Sequence, residues 1–176
     1  MDDKQLIISE ADIRQRVKDL GAAISRDYAG KQLVMVGILN GAFIFIADLA
    51  REVSLPVEID FIRVSSYGTH TFSSGSIAFT KDIELDITGK DVLLVEDIVD
   101  TGRTLLRLKE IFADRKPRSL KICTLINKTE RREADVEIDY HGFDIDHGFL
   151  VGYGLDYAEQ HRHYPEIYHL RDPKPA

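Results

Sequence analysis

The sequence predicts an α/β fold, a mostly parallel central sheet flanked by helices, and three observations predict it. First, the runs Leu33-Val34-Met35-Val36-Gly37-Ile38-Leu39 and Val92-Leu93-Leu94-Val95 are apolar at consecutive positions, as expected for strands covered on both faces. Second, each of these runs passes through a short turn into a stretch with helical spacing, the strand-turn-helix order that builds parallel sheets. Third, the polar residues best suited to ligands fall where the strands run out, which is where such sheets bind. At 176 residues and 20.0 kDa the chain can bury a full core, and no composition shift marks a linker, so one domain spanning 1–176 is expected.

The elements follow in order. Ser9 followed by Asp12 has the form of a helix start, and Ile13, Val17, Leu20 and Ile24 recur at helical spacing until Tyr28-Ala29-Gly30 ends the run. Residues 33–39 form a buried strand, Asn40-Gly41 turns, and 42–52 form an apolar helix. Residues 56–64 alternate and suit a strand; the polar stretch 65–76 that follows is long for a loop inside a compact domain, and such loops usually carry function. Residues 92–95 are a strand ending at Glu96 and Asp97, Asp100-Thr101-Gly102 turns the chain, and 104–112 return to helical spacing. A strand over 119–126 ends at Asn127-Lys128. Residues 136–140, the glycine-containing run 148–156 and a terminal strand near 167–170 complete the chain.

Composition removes several function classes. Hydrophobic residues make 44% of the chain and charged residues 30%, ordinary for a globular domain and too apolar for disorder. The net charge of −7 disfavours nonspecific binding to nucleic acid. It does not exclude a phosphorylated substrate, because Mg²⁺ and local basic residues neutralise phosphates. Cys123 is the sole cysteine, so no intrachain disulfide forms, and its apolar neighbours make it a core residue. The N-terminal stretch MDDKQLIISEAD is acidic, and no run reaches the length of a membrane span. A cytoplasmic protein without membrane or nucleic-acid partners is expected. No Walker loop, no Gly-x-Gly-x-x-Gly opening a helix and no zinc spacing occur. His161 and His163 lack a third ligand and read as solvated surface. Gly152 and Gly154 read as relieving crowding near a ligand or bending a strand.

The chemistry concentrates in VLLVEDIVDTGRTL, residues 92–105. After the Asp-Thr-Gly turn a helix begins, and its free backbone N–H groups point at whatever lies before it, a natural seat for phosphate. Glu96 and Asp97 would repel a bare phosphate but suit ribose hydroxyls or a divalent cation with oxygen ligands. The stretch therefore reads as a sugar-phosphate site rather than a buried strand with an acidic surface turn. A receiver domain also places an acidic pair after an apolar strand, but near its N-terminus, whereas here the pair stands at positions 96 and 97.

This stretch resembles the phosphoribosyl-pyrophosphate signature of the purine phosphoribosyltransferases, and the chain resembles the hypoxanthine-guanine phosphoribosyltransferase family over nearly its whole length. Leu39-Asn40-Gly41-Ala42-Phe43 is similar to the family's first pyrophosphate loop. Ser66-Tyr67-Gly68 is similar to the start of its mobile lid, which would span about residues 65–76. The run from Phe149 to Tyr157 is similar to its purine-binding segment and continues to Arg162. The resemblance implies the type I fold of that family, with a small C-terminal or hood region, formed by the N- and C-terminal segments, covering the base site. It implies purine salvage: transfer of the 5-phosphoribosyl group from phosphoribosyl pyrophosphate to N9 of hypoxanthine or guanine, giving IMP or GMP and pyrophosphate. It further implies a homodimer or homotetramer, and two Mg²⁺ per active site with substrate bound.

Residue by residue, the resemblance makes Glu96 and Asp97 partners of the ribose hydroxyls and of a first Mg²⁺. Asp100, Thr101, Gly102, Arg103 and Thr104 would cradle the 5′-phosphate, with Asp100 also the catalytic base toward the purine. Asn40, Gly41 and Arg162 would contact pyrophosphate, and Asp156 would help hold a second Mg²⁺ there. Lys128 would donate to the oxygen at purine C6, Phe149 would stack on the base, and backbone groups at Leu150 and Asp156 would read its other edge. Ser66 and Tyr67 would open the lid. A cis peptide before residue 40 is a family feature. Two departures stand out. Asn40 replaces a Lys or Arg common in the family, removing a long basic side chain. Gly148, within Ile145-Asp146-His147-Gly148, removes the Lys or Glu often found just before the aromatic residue.

Overall fold

The computed structural model describes residues 4–66 and 77–171. The expected α/β architecture is present, as a six-stranded sheet with a separate three-stranded sheet beside it.

Helix α1, Glu10–Asp27, starts where the sequence places it: the Ser9 side chain accepts the Asp12 N–H, and Ile13, Val17, Leu20 and Ile24 form its buried stripe. Strand β2, Leu33–Leu39, then enters the interior, and α2, Phe43–Glu52, follows one residue later than the expected 42–52. Strand β3 covers Val57–Ser66, extending the expected strand by two residues, and β4, Ile77–Lys81, folds back on it antiparallel. Strand β5, Asp91–Val99, leads through the Asp-Thr-Gly turn into α3, Arg103–Ala113, and β6, Ser119–Lys128, follows. Strand β7, Tyr140–Ile145, closes the large sheet, whose order is β4-β3-β2-β5-β6-β7, parallel except for the β4 edge.

Strand polarity sorts the core into two layers. Leu33, Met35, Leu93, Val95, Cys123 and Leu125 share one cluster with the buried stripes of α1 and α2. Their neighbours Val34, Val36, Val92, Leu94 and Ile122 pack with Leu105, Leu108 and Phe112 of α3 on the opposite face. Burial of both faces is why these strands read as apolar runs. Strand β2 leads through α2 to β3 on one side, and β5 leads through α3 to β6 on the other. The topological switch point therefore lies between β2 and β5, and a crevice opens beyond their carboxyl ends.

The smaller sheet joins the two ends of the chain. Strand β1, Lys4–Ile8, pairs antiparallel with β9, Ile167–Leu170, which pairs in turn with β8, Leu150–Val151. The Lys4 ammonium sits 3.8 Å from the centre of the Tyr164 ring and 4.4 Å from that of Tyr168, a cation held against two aromatic faces. His163 is exposed and His161 half-buried, and both rings lie against the neighbouring Tyr164. No helix among the described residues is long and apolar enough to cross a membrane.

Candidate active site

At the switch point the turn after β2 and the turn after β5 face one another across a cleft of about 370 Å³. The Leu39-Asn40 peptide is cis, and Gly41 follows directly above the β5 carboxylates. A methyl group built on Gly41 would lie 1.7 Å from Asp97 Oδ2, so only glycine lets the backbone approach that closely. Asp97 is buried and its Oδ1 accepts the Ile98 N–H at 2.7 Å, while Glu96 Oε1 accepts the Asp97 N–H at 3.1 Å.

Holding two carboxylates this close, Asp97 buried and Glu96 half-buried, disfavours ionising both. Burial, and then the charge of Asp97, push the Glu96 carboxyl well above its usual range. Burial also pushes Asp97 up, opposed by its bonds to Glu96 and Ile98 and by the charge of Arg162. A hard cation would relieve this mutual repulsion, and paired carboxylate oxygens are the donors it prefers. Among the described residues no cluster of three metal-ligating side chains occurs. The pair therefore fits Mg²⁺ of the kind that takes one or two protein carboxylates and completes its shell with substrate oxygens and water.

Beyond the pair, Gly102 adopts a left-handed conformation, φ 80°, and α3 starts there with no side-chain cap. The first turn thus presents backbone N–H groups toward the cleft, which Thr101 and Thr104 also line. Asp100 stands between this turn and the carboxylates. Its Oδ2 pairs with Arg131 Nη2 at 2.9 Å, and its Oδ1 is buried with no hydrogen-bond partner among the described residues. A buried acceptor left open in a cleft is positioned for a proton from a ligand.

The far wall is the segment after β8. Arg162 Nη1 donates to Gly154 O at 2.8 Å, and Nη2 lies 2.9 Å from Asp156 Oδ1, while Asp156 Oδ2 accepts the Glu159 N–H. Asp156 and Arg162 both line the cleft.

The structure therefore brings Asn40, Gly41, Glu96, Asp97, Asp100, Thr101, Gly102, Thr104, Asp156 and Arg162 to one cavity. Others stand apart from that lining. The Arg103 guanidinium turns to Glu133. Lys128 is buried at the end of β6, its Nζ 3.4 Å from Glu130 Oε2. The Phe149 ring is 41% exposed and meets Tyr157 edge-on at 5.5 Å. Leu150 is buried in β8, the edge strand of the small sheet among the described residues. Of the expected lid, Ser66 ends β3, and Tyr67 with the rest of 67–76 lies outside the described residues.

Two arginines were not anticipated. Arg131 pairs with Asp100, and Arg132 donates to the carbonyls of Asp100, Val99 and Lys128 and to Asn127 Oδ1, tying the ends of β5 and β6 together. Their signal was their place three and four residues after Lys128, in Lys128-Thr129-Glu130-Arg131-Arg132.

Comparison with known proteins agrees with this geometry. The phosphoribosyl transferase domain family matches residues 8–158. A hypoxanthine phosphoribosyltransferase of Salmonella typhimurium is 47% identical over 165 residues, 93% of each chain. A hypoxanthine-guanine phosphoribosyltransferase of Bacillus subtilis is 44% identical over 166 residues, 94% of this chain and 92% of that one. A crystal structure of a hypoxanthine phosphoribosyltransferase from Staphylococcus aureus superposes with a TM-score of 0.91 at 45% identity, covering 95% of this chain and 91% of that one. A mostly parallel sheet with its phosphate-type turn and paired carboxylates at the switch point, and sequence kinship across nearly the whole chain, place this protein in the phosphoribosyltransferase family.

Proposed function

We propose that the chain transfers the 5-phosphoribosyl group of phosphoribosyl pyrophosphate to N9 of hypoxanthine or guanine, forming IMP or GMP and releasing pyrophosphate, and so serves purine salvage. The observation that carries this reading is the single cleft in which paired carboxylates, an uncapped helix start and an arginine converge. Those are the groups a phosphorylated ribose with a pyrophosphate leaving group demands.

The first turn of α3 binds the 5′-phosphate through its N–H groups and the hydroxyls of Thr101 and Thr104. Glu96 and Asp97 orient the ribose through its hydroxyls. The backbone of the Asn40-Gly41 turn and the Arg162 guanidinium receive the pyrophosphate, which acquires charge as the bond to C1 breaks. Glu96 and Asp97 would hold one Mg²⁺ and Asp156 would help hold a second, which would supply charge neutralisation and orientation of the substrate oxygens.

The departing bond leaves an oxocarbenium-like C1 that water could capture, so the site must exclude water; the expected lid, residues 65–76, lies from Tyr67 onward outside the described residues. Asp100 takes the purine proton, at N7, through its open oxygen. Lys128 donates to O6, Phe149 stacks on the base, and backbone groups of Leu150 and Asp156 read the opposite edge, with the β1-β9-β8 sheet as the hood over it. We further assign a cytoplasmic location, supported by the buried free thiol of Cys123, and a homodimeric or homotetrameric assembly, supported by Phe43 and Ile59, 44% and 43% exposed.

The test is direct. Purified protein is incubated with Mg²⁺, phosphoribosyl pyrophosphate and each of hypoxanthine, guanine, xanthine and adenine, and nucleotide is followed, with a chelator arm in parallel. Metal-dependent formation of IMP and GMP is expected; turnover with adenine alone, or full turnover in chelator, would overturn the assignment.

A further inference from the structure

One hydrogen bond made by a buried tyrosine belongs to none of the steps above. The Tyr153 hydroxyl donates to Asp48 Oδ2 at 2.5 Å, joining parts of the chain 105 residues apart. Tyr153 is 6% exposed. It sits in the middle of the segment that carries Phe149 and Leu150 at one end and Asp156 at the other. Asp48 belongs to α2, the helix that the Asn40-Gly41 turn leads into, and Ile46 N–H to Ala42 O at 2.9 Å ties that helix's first turn back to it.

The backbone around Tyr153 is set up for this contact at some expense. Three successive residues have positive φ: Gly152 at 102°, Tyr153 at 50° and Gly154 at 100°. For a tyrosine that conformation is unfavourable, and it persists only where the surroundings hold it. The result is that Gly154 lies directly on the pyrophosphate turn, since a methyl group built on it would come within 2.0 Å of Gly41 O. The phenol remains a donor at any ordinary pH, because burial and then the bond to Asp48 raise its pKa far beyond its normal value. Asp48 is in turn held by Arg51.

We infer that Tyr153 and Asp48 are positioning residues that clamp the base-binding segment onto the pyrophosphate-binding turn, so that the two halves of the site hold one geometry. This rests on the functional reading above. Without the clamp, the left-handed Tyr153 is held by backbone bonds, Tyr153 N–H to Tyr164 O at 2.8 Å and Gly154 N–H to Arg162 O at 2.9 Å, so the 152–154 loop loses its side-chain tie to α2 and Gly154 shifts against Gly41. Both the purine side and the pyrophosphate side loosen together, although neither Tyr153 nor Asp48 touches a substrate in this scheme.

The experiment compares wild type with Tyr153→Phe, Asp48→Asn, Asp48→Ala and the Tyr153→Phe/Asp48→Ala double variant, in steady-state assays with hypoxanthine and phosphoribosyl pyrophosphate and in thermal unfolding. Tyr153→Phe keeps the ring and removes only the donor. It is expected to raise KM for both substrates roughly three- to tenfold, the size of one lost hydrogen bond to a charged acceptor, with kcat changed less than about twofold. Asp48→Asn keeps an oxygen that accepts from the phenol and should restore near-normal KM values, whereas Asp48→Ala should match Tyr153→Phe. The double variant should be no worse than either single one, as for two members of one contact. A purely structural role would lower the unfolding temperature and leave both KM values unchanged; that result, or additive effects in the double variant, overturns the inference. Should Tyr153→Phe fold poorly, the Asn and Ala comparison at Asp48 decides alone. Absence of phosphoribosyl transfer in the wild type would instead defeat the functional reading, before any variant is measured.

Discussion

Gly41→Ala adds a single methyl group, and the structure says where it would go. The new carbon would stand 1.7 Å from Asp97 Oδ2 and 2.6 Å from Asp97 Cγ. To reach an ordinary contact the carboxylate or the turn must retreat by more than about 1 Å, a displacement that in a preorganised site costs roughly 10²-fold in rate. Asp97 cannot swing away freely, because its Oδ1 holds the Ile98 N–H and leaving that donor unpaired costs on the order of 1–3 kcal/mol. The expected outcome is therefore a fall of about 10²-fold in kcat/KM for phosphoribosyl pyrophosphate, with a raised Mg²⁺ requirement and a folded protein. Gly89→Ala is the control: its φ of +71° is strained for alanine, but nothing lies within 4 Å of the added methyl. It should lose about 1 kcal/mol of stability and keep wild-type kinetics. Continuous assays of nucleotide formation on both variants, with thermal melts, decide the matter. A Gly41→Ala enzyme within threefold of wild type would refute the claim that only glycine lets the turn sit this close to Asp97.

Asp100→Asn preserves shape but cannot take the purine proton, so kcat should fall by about 10²-fold or more with modest change in KM; near-normal kcat would remove Asp100 from the mechanism. Lys128→Ala should lose kcat/KM for hypoxanthine and guanine by at least about tenfold, since a charged donor meets O6, with little change in affinity for phosphoribosyl pyrophosphate; an unchanged hypoxanthine-to-adenine ratio would leave Lys128 as an ordinary strand-end lysine. Asp60 governs an acid limb of stability. Burial opposes its ionisation, but N–H donors of Leu85, Phe61 and Glu84 and the Lys81 ammonium outweigh it and hold the carboxyl below its ordinary 3.8. Its contribution is thus full above that value and is lost as the pH falls through the depressed folded-state pKa. Denaturant titrations should show the wild type losing part of its advantage over Asp60→Ala at low pH, and a pH-independent difference would contradict this.

How far the sequence carried follows from where each signal resides. The apolar runs of β2 and β5 and the Ser9 cap of α1 are local patterns with local causes, and they appear in place. The Leu39-Asn40 cis peptide, expected from the family resemblance, is also present. Strands β1, β4 and β8 were invisible because their partners create them. Lys4–Ile8 becomes a strand only by pairing with residues at the other end of the chain, Ile77–Lys81 only by folding back on β3, and β8 has just two residues. The acidic pair and the phosphate-type turn were legible because chemistry clusters there in consecutive residues. The Arg131 partner of Asp100 and the contact of Gly154 with Gly41 were not, since both depend on chains meeting across the fold. His163 is exposed and His161 half-buried, as a surface reading expects, and both rings lie on their sequence neighbour Tyr164.

The pairing of β1 with β9 has a consequence for the order of assembly. During synthesis the parallel core can close once β7 has emerged, and with it the carboxylates and the helix start. The small sheet must wait for its central strand, β9, which follows every strand of the large sheet and pairs back with β1. Contacts of such sequence separation form late because the loop they close is nearly the whole chain. A chain cleaved before β9 would then keep the carboxylates and the helix start without the hood proposed for the base, and proteolysis beyond Tyr164 should release base selectivity while sparing phosphate binding.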